Sequence, residues 1–181
     1  MGQIRITGGS HRSRKITVEY QPGLRPTGDR IRETLFNWIG HNLSGQNVLD
    51  LYTGSGILAF EAASRSAEMV TCVDNNKKTI IQLQKNINAL QFEQITVNHQ
   101  TASTFIQNSN ETFDLVFLDP PFDSDEIYTI SGIISPLCKS GSYLYREYRV
   151  SQDITPMDNI LWSLKKNKKA GQVHFELWQK K

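Results

Sequence analysis

The sequence predicts an α/β protein built on a largely parallel sheet with helices on both faces. Two observations carry that prediction. From Asn47 onward, short β-prone runs alternate with helical ones, and three of the apolar runs finish in an acidic residue, at Asp50, Asp74 and Asp119. Strand-helix alternation returns the chain to the same end of a sheet each time, so ligands gather at the carboxyl ends of the strands.

The elements follow in order. Gln3–Ile6 and Lys15–Val18 are β-prone runs around a Gly8-Gly9-Ser10 turn signal. The proline-punctuated segment 22–27 leads to a helix carrying Ile31, Leu35, Phe36 and Ile39 at helical spacing, with Thr27 placed to cap it. Asn47–Leu51 is a first strand, followed by Gly54-Ser55-Gly56 and a helix through Ser64. Met69–Val73 is a second strand and Lys77–Leu90 a second helix of this region. Ile95–Asn98 and Leu115–Leu118 are further strands. A helix over about Asp125–Leu137 leads to a fifth strand at Ser142–Tyr148. Leu161–Lys165 and Val173–Trp178 are joined by a lysine-rich turn.

At 181 residues with 38% hydrophobic and 21% charged content, the chain fits one ordinary globular domain with a short appendage. No apolar run approaches the roughly 20 residues of a membrane helix, and the polar, basic start predicts no secretory leader and a cytoplasmic location. Cys72 and Cys138 stand apart, and the four histidines lack ligand spacing, so buried thiols and no metal site are expected. Charge is uneven: residues 1–40 carry a net +4, residues 41–150 a net −5 and residues 151–181 a net +3. Basic ends around an acidic middle suit a polyanion docked outside a central site.

Three motifs carry chemistry. Val48-Leu49-Asp50-Leu51-Tyr52-Thr53-Gly54-Ser55-Gly56 places glycines between a strand and a helix N-terminus, where backbone and free amides can approach a ligand. Alone, such a run is often only a tight turn. Asp74, at the end of the next strand, can accept hydrogen bonds from both hydroxyls of a ribose, or it caps the helix before Lys77. Asp50 separates two cofactor classes. A carboxylate has little use beside a pyrophosphate but suits the cationic amino acid tail of S-adenosylmethionine, and D-x-x-x-G-x-G is the order seen in class I methyltransferases. The third motif is Asp119-Pro120-Pro121-Phe122. Its prolines remove two amide donors and fix the backbone, leaving acceptors, and Phe122 adds a flat apolar face. An exocyclic base amine, whose lone pair is delocalised into its ring, needs two hydrogen-bond acceptors to become nucleophilic. The Asp119 carboxylate and the Pro120 carbonyl supply them while Phe122 stacks on the base.

On these motifs, and on Gly2-Gln3-Ile4-Arg5-Ile6-Thr7-Gly8-Gly9, Leu24-Arg25-Pro26-Thr27-Gly28-Asp29-Arg30-Ile31-Arg32-Glu33-Thr34-Leu35-Phe36-Asn37-Trp38 and Ala170-Gly171-Gln172-Val173, the chain resembles the RsmD family nearly end to end. These are bacterial methyltransferases acting on the guanine N2 amine of small-subunit (16S) ribosomal RNA. The resemblance implies a class I S-adenosylmethionine-dependent methyltransferase fold, Rossmann-like, with a seven-stranded mixed sheet whose last strand is antiparallel. It also implies a small N-terminal β-hairpin. It divides the chain into residues 1–26, a hairpin and RNA-binding extension, and residues 27–181, the methyltransferase domain. Asp50, Tyr52, Thr53, Gly54, Gly56 and Asp74 would contact the cofactor, with Thr101-Ala102 beside the adenine and Thr27, Arg32 and Phe36 closing one side. Tyr52-Thr53 replaces the commoner Phe-Ala of the family, and Thr101 stands where Asn or Asp is usual, which shifts adenine recognition to the Ala102 amide.

Arg5, Arg12, Arg14, Lys15, Arg25 and Arg30 are the RNA-contact candidates, since guanidinium groups fit phosphates. Lys165, Lys166, Lys168 and Lys169 form a second basic patch. At a hairpin tip such lysines commonly deter edge pairing, with RNA contact the alternative. The expected partner is small-subunit ribosomal RNA, within a subunit or an assembly intermediate, and the expected state a monomer. Two other readings stay open: an adenine-N6 methyltransferase acting on DNA or RNA, which would share the Asp-Pro-Pro-Phe chemistry, and a non-catalytic RNA-binding assembly factor. A nicotinamide-dependent dehydrogenase is more distant.

Overall fold

The computed structural model describes residues 2–18, 27–122, 124–152, 154 and 156–181. β1 (Gly2–Arg5) and β2 (Lys15–Val18) form an antiparallel hairpin, paired from Gly2 with Val18 to Arg5 with Lys15. After α1 (Asp29–Ile39) come β3 (Asn47–Asp50), α2 (Ile57–Ser64), β4 (Met69–Asp74), α3 (Lys77–Leu90) and β5 (Ile95–His99). They are followed by α4 (Ala102–Asn108), β6 (Phe113–Leu118), α5 (Glu126–Ile133), β7 (Cys138–Arg149), β8 (Trp162–Ala170) and β9 (Val173–Lys180). The seven-stranded sheet has the order β5-β4-β3-β6-β7-β9-β8. Its first five strands are parallel to their neighbours, and β9 runs antiparallel to both β7 and β8. The expected mixed sheet and N-terminal hairpin are both present.

Period-two alternation along β6 divides the core. Leu115 and Phe117 face one layer with α1, α2, α3 and the hairpin residues Ile6 and Ile16, while Val116 and Leu118 face the other with α4 and α5. The hairpin thus belongs to the same packed layer as the sheet. It is also tied by polar bonds: the Thr17 amide donates to Asn86 on α3, and the Thr7 amide to Glu61 on α2. Glu61 is fully buried in an otherwise apolar helix, and Arg32 and Arg65 both donate to its carboxylate. Unpaired, such a charge would cost several kcal/mol. Both cysteines are free and buried. No helix among the described residues is long and apolar enough to cross a membrane.

The structure corrects several local expectations. Gly28, not Thr27, is the N-cap of α1, and no side chain caps it. The helix expected over 125–137 ends at Ile133, and a 3-10 turn at Ser135–Leu137 follows because Pro136 has no amide to continue the ladder. α4 was not anticipated. Asp74 does not cap α3; Asn76 does, accepting from the Lys78 and Thr79 amides.

Candidate active site

The strand ends build the site. β3, β4 and β6 lie side by side, so Asp50, Asp74 and Asp119 open together on one cavity of about 380 Å³. That volume lies within the range of small-molecule sites, about 300–1,000 Å³. Thr27, Tyr52, Thr53, Gly54, Thr101, Ala102, Pro120, Pro121 and Phe122 line it as well. The expected residues from four separate loops are therefore brought together.

The β3–α2 turn is held from within. The Thr53 hydroxyl donates to the Asp50 carbonyl (2.8 Å) and accepts from the Val73 amide (3.0 Å), so it shapes the loop and has little left for a ligand. Gly54 has φ +49° and donates its amide to Asp74 (2.9 Å). Gly56 does not line the cavity. A β-carbon there would meet Leu83 at 2.4 Å and Phe60 at 2.8 Å, and its φ is +80°. Its glycine is required by packing between α2 and α3, not by ligand approach.

Asp50 is 1% exposed, and burial, with Asp74 nearby, pushes its carboxyl up to about 7 although the Ala59 amide opposes the shift. Such a group favours a cationic partner. Asp74 accepts from the Gly54 and Asn76 amides (2.9 and 2.8 Å), which fix its carboxylate; burial still raises its pKa. Burial and the neighbouring Glu147 and Asp50 hold the Asp119 carboxyl well above the usual range, against one hydrogen bond from the Thr27 hydroxyl (3.3 Å). Thr27 is therefore a cleft residue through its side chain. The Pro121 carbonyl accepts from Ser124 (2.7 Å from Oγ), whereas among the described residues the Pro120 carbonyl has no such bond. Phe122 is half-buried, with the Arg149 guanidinium 5.6 Å from its ring centre, a cation-π arrangement.

Thr101 caps α4, accepting from the Thr104 amide (3.1 Å). Its hydroxyl is thereby occupied, and Ala102 follows as the first helical residue, with a free first-turn amide. Tyr52 turns its hydroxyl toward Glu126, whose carboxylate joins burial in raising the phenol's pKa.

Two residues expected to close the cavity do not. Arg32 is fully buried and bonds the Thr27 and Arg5 carbonyls, Asp29 and Glu61, so it braces the cleft from behind. Phe36 lies in the core under Arg65. Arg5 is exposed and paired with Asp29, and Arg30 is exposed in the first turn of α1, near the cleft. Arg12 and Arg14 lie in the hairpin turn, and Lys15 opens β2 just beyond it. That turn is anchored to the Ser64 and Leu90 carbonyls at the C-terminal ends of α2 and α3. Both helices start at the cleft, so this turn is about 12–20 Å from it. Arg25 lies outside the described residues. The sequence reading missed Arg149, Glu126 and Gln100 in the lining. Arg149 ends β7, and the rule that ligands gather at strand ends could have pointed to it.

The donor set fits the S-adenosylmethionine expected from the sequence: a buried carboxylate for an ammonium, a second one for a ribose, and acceptors beside an aromatic face for the base. The fold and this cleft define an S-adenosylmethionine-dependent methyltransferase. A protein of Streptococcus mutans provisionally named as one has the same fold, with a TM-score of 0.73 at 12% identity over 87% of this chain and 50% of that one. The family described as "Conserved hypothetical protein 95" matches residues 4–179, and the chain belongs to it, the RsmD family. The chain is 40% identical to ribosomal RNA small subunit methyltransferase D of Haemophilus influenzae, covering 98% of this chain and 94% of that one. It is also similar to the Escherichia coli protein yhhF, provisionally named a methyltransferase, with a TM-score of 0.90 and 33% identity over 99% of both chains.

Proposed function

We propose that the chain methylates the exocyclic N2 amine of a guanine in small-subunit ribosomal RNA. The observation that supports the chemistry best is the placement of Asp119-Pro120-Pro121-Phe122 on the same cavity as Asp50 and Asp74. S-adenosylmethionine supplies an electrophilic methyl group on a sulfonium. Asp50 holds its ammonium and Asp74 its ribose. The Ala102 amide meets the adenine. Phe122 stacks on the target base, which has left its own stack to enter. Asp119 and the Pro120 carbonyl accept the two N–H bonds of the amine and turn its lone pair in line with the methyl. As the carbon–nitrogen bond forms, the carbon–sulfur bond breaks, and the nitrogen then loses one proton to Asp119 or solvent. Catalysis is positioning and electrostatics. The choice of ribosomal RNA and of guanine N2 is supported by family membership and by the relative from Haemophilus influenzae named for small-subunit RNA.

In this reading residues 27–181 are the catalytic domain and residues 1–26 an RNA-binding extension. Arg5, Arg12, Arg14, Lys15, Arg25 and Arg30 contact phosphates. The protein acts as a cytoplasmic monomer on a subunit or its assembly intermediate. The test is incubation with labelled S-adenosylmethionine and small subunits from cells lacking the gene, followed by nucleoside analysis. N2-methylguanosine is the expected product. Label on adenine or cytosine would reject the base assignment, and no label despite cofactor binding would reject catalysis on this RNA.

A further inference from the structure

β8 is the outer strand of the sheet, next to β9 alone. Its nine residues include Lys165, Lys166, Lys168 and Lys169 and no acidic residue. All four lysines are exposed, and among the described residues none forms a salt bridge. Lysines on an edge strand often do no more than prevent pairing with another chain. The register of this sheet gives them a more specific position.

Leu118 pairs with Arg146, Arg146 with Glu176, and Glu176 with Asn167. One step toward the carboxyl end of β6, the row runs from Asp119 through Glu147 and Phe175 to Lys168. The next row runs from Pro120 through Tyr148 and His174 to Lys169. Both lysines are thus level with the acceptors proposed for the target amine. Three strand spacings of about 4.8 Å place Lys168 about 14 Å from Asp119 across the sheet. At about 3.4 Å per stacked nucleotide, that span covers about four phosphates. The strand then turns at Gly171, level with Arg149 at the cavity's lip.

We propose that the lysine edge of β8 holds the RNA backbone flanking the target base, about four nucleotides from it. This inference rests on the reading that the substrate is RNA. Ammonium groups on an exposed strand contact phosphates as point charges, so they hold the strand in register with the cleft and read no bases.

The test is a fourfold Lys→Glu variant at positions 165, 166, 168 and 169. Charge reversal keeps the edge charged, and so keeps any protection against pairing, while turning its sign against RNA. Binding of small-subunit ribosomal RNA is measured by filter retention over a range of salt concentrations, and S-adenosylmethionine binding by calorimetry. RNA affinity falls by at least about tenfold, and the salt slope decreases by about 0.9 for each phosphate released. Cofactor affinity stays the same. Wild-type RNA affinity and slope in the variant would overturn the inference and leave edge protection as the lysines' role. If the wild-type protein neither binds nor methylates small-subunit RNA, the substrate reading fails and this inference falls with it.

Discussion

Asp50→Asn should separate stability from binding. Asp50 is fully buried, and its carboxyl stands at about 7 against an ordinary 3.8. A group whose folded pKa is raised binds its proton more tightly in the folded chain. Its ionisation therefore costs stability as pH rises from about 4 to about 7, and the cost is complete above that range. At about 1.4 kcal/mol per tenfold, the difference is as much as about 4 kcal/mol at pH 8. Asparagine keeps an acceptor for the Ala59 amide and carries no charge. The variant should be more stable than the parent at pH 8 by up to that amount in urea unfolding, with the gain vanishing near pH 4. It should at the same time lose most of its affinity for S-adenosylmethionine in calorimetry. The parent's affinity should weaken toward tenfold per pH unit below 7, as Asp50 takes up its proton, and the variant's profile should be flatter. A variant that is no more stable at pH 8, or that binds the cofactor like the parent, would refute the role assigned to this carboxylate.

Two further substitutions test the other halves of the cleft. Asp119→Ala should abolish methyl transfer while leaving cofactor affinity within several-fold; equal loss of both in paired turnover and calorimetry would make Asp119 a cofactor or folding residue. Gly56→Ala should lower stability by about 1–3 kcal/mol or more in urea unfolding, because its methyl meets Phe60 and Leu83 at a positive φ. Unchanged stability would remove the packing explanation.

The alternating half of the chain was legible because parallel strands buried on both faces read as apolar runs, as in Phe113–Leu118, and because glycine and proline punctuate their ends. α4 was not, since Ala-Ser-Thr-Phe-Ile-Gln-Asn is too short to show a helical period and its Thr101 cap looked like a loop residue. The cleft motifs were legible because each lies within a few residues of a strand end. The bracing behind them was not. Arg32, Glu61 and Arg65 meet only through the packing of α1 on α2, and nothing in Ile57–Ser64 signals that a carboxylate in that helix has two guanidinium partners. Arg12 and Arg14 illustrate the same limit: their charge was evident, but their distance from the cleft depends on where the hairpin turn docks.

Three carboxylates on one small cavity also sort a nucleotide into its parts. A phosphodiester brought to the floor of this cleft would face Asp50, Asp74 and Asp119 at close range, where repulsion between like charges is strongest. A nucleobase carries no charge and offers its amine as a donor to those same oxygens. The acidic floor is therefore an electrostatic filter: it draws the ring inward and keeps the backbone at the rim, so the depth of insertion is set by charge as much as by shape.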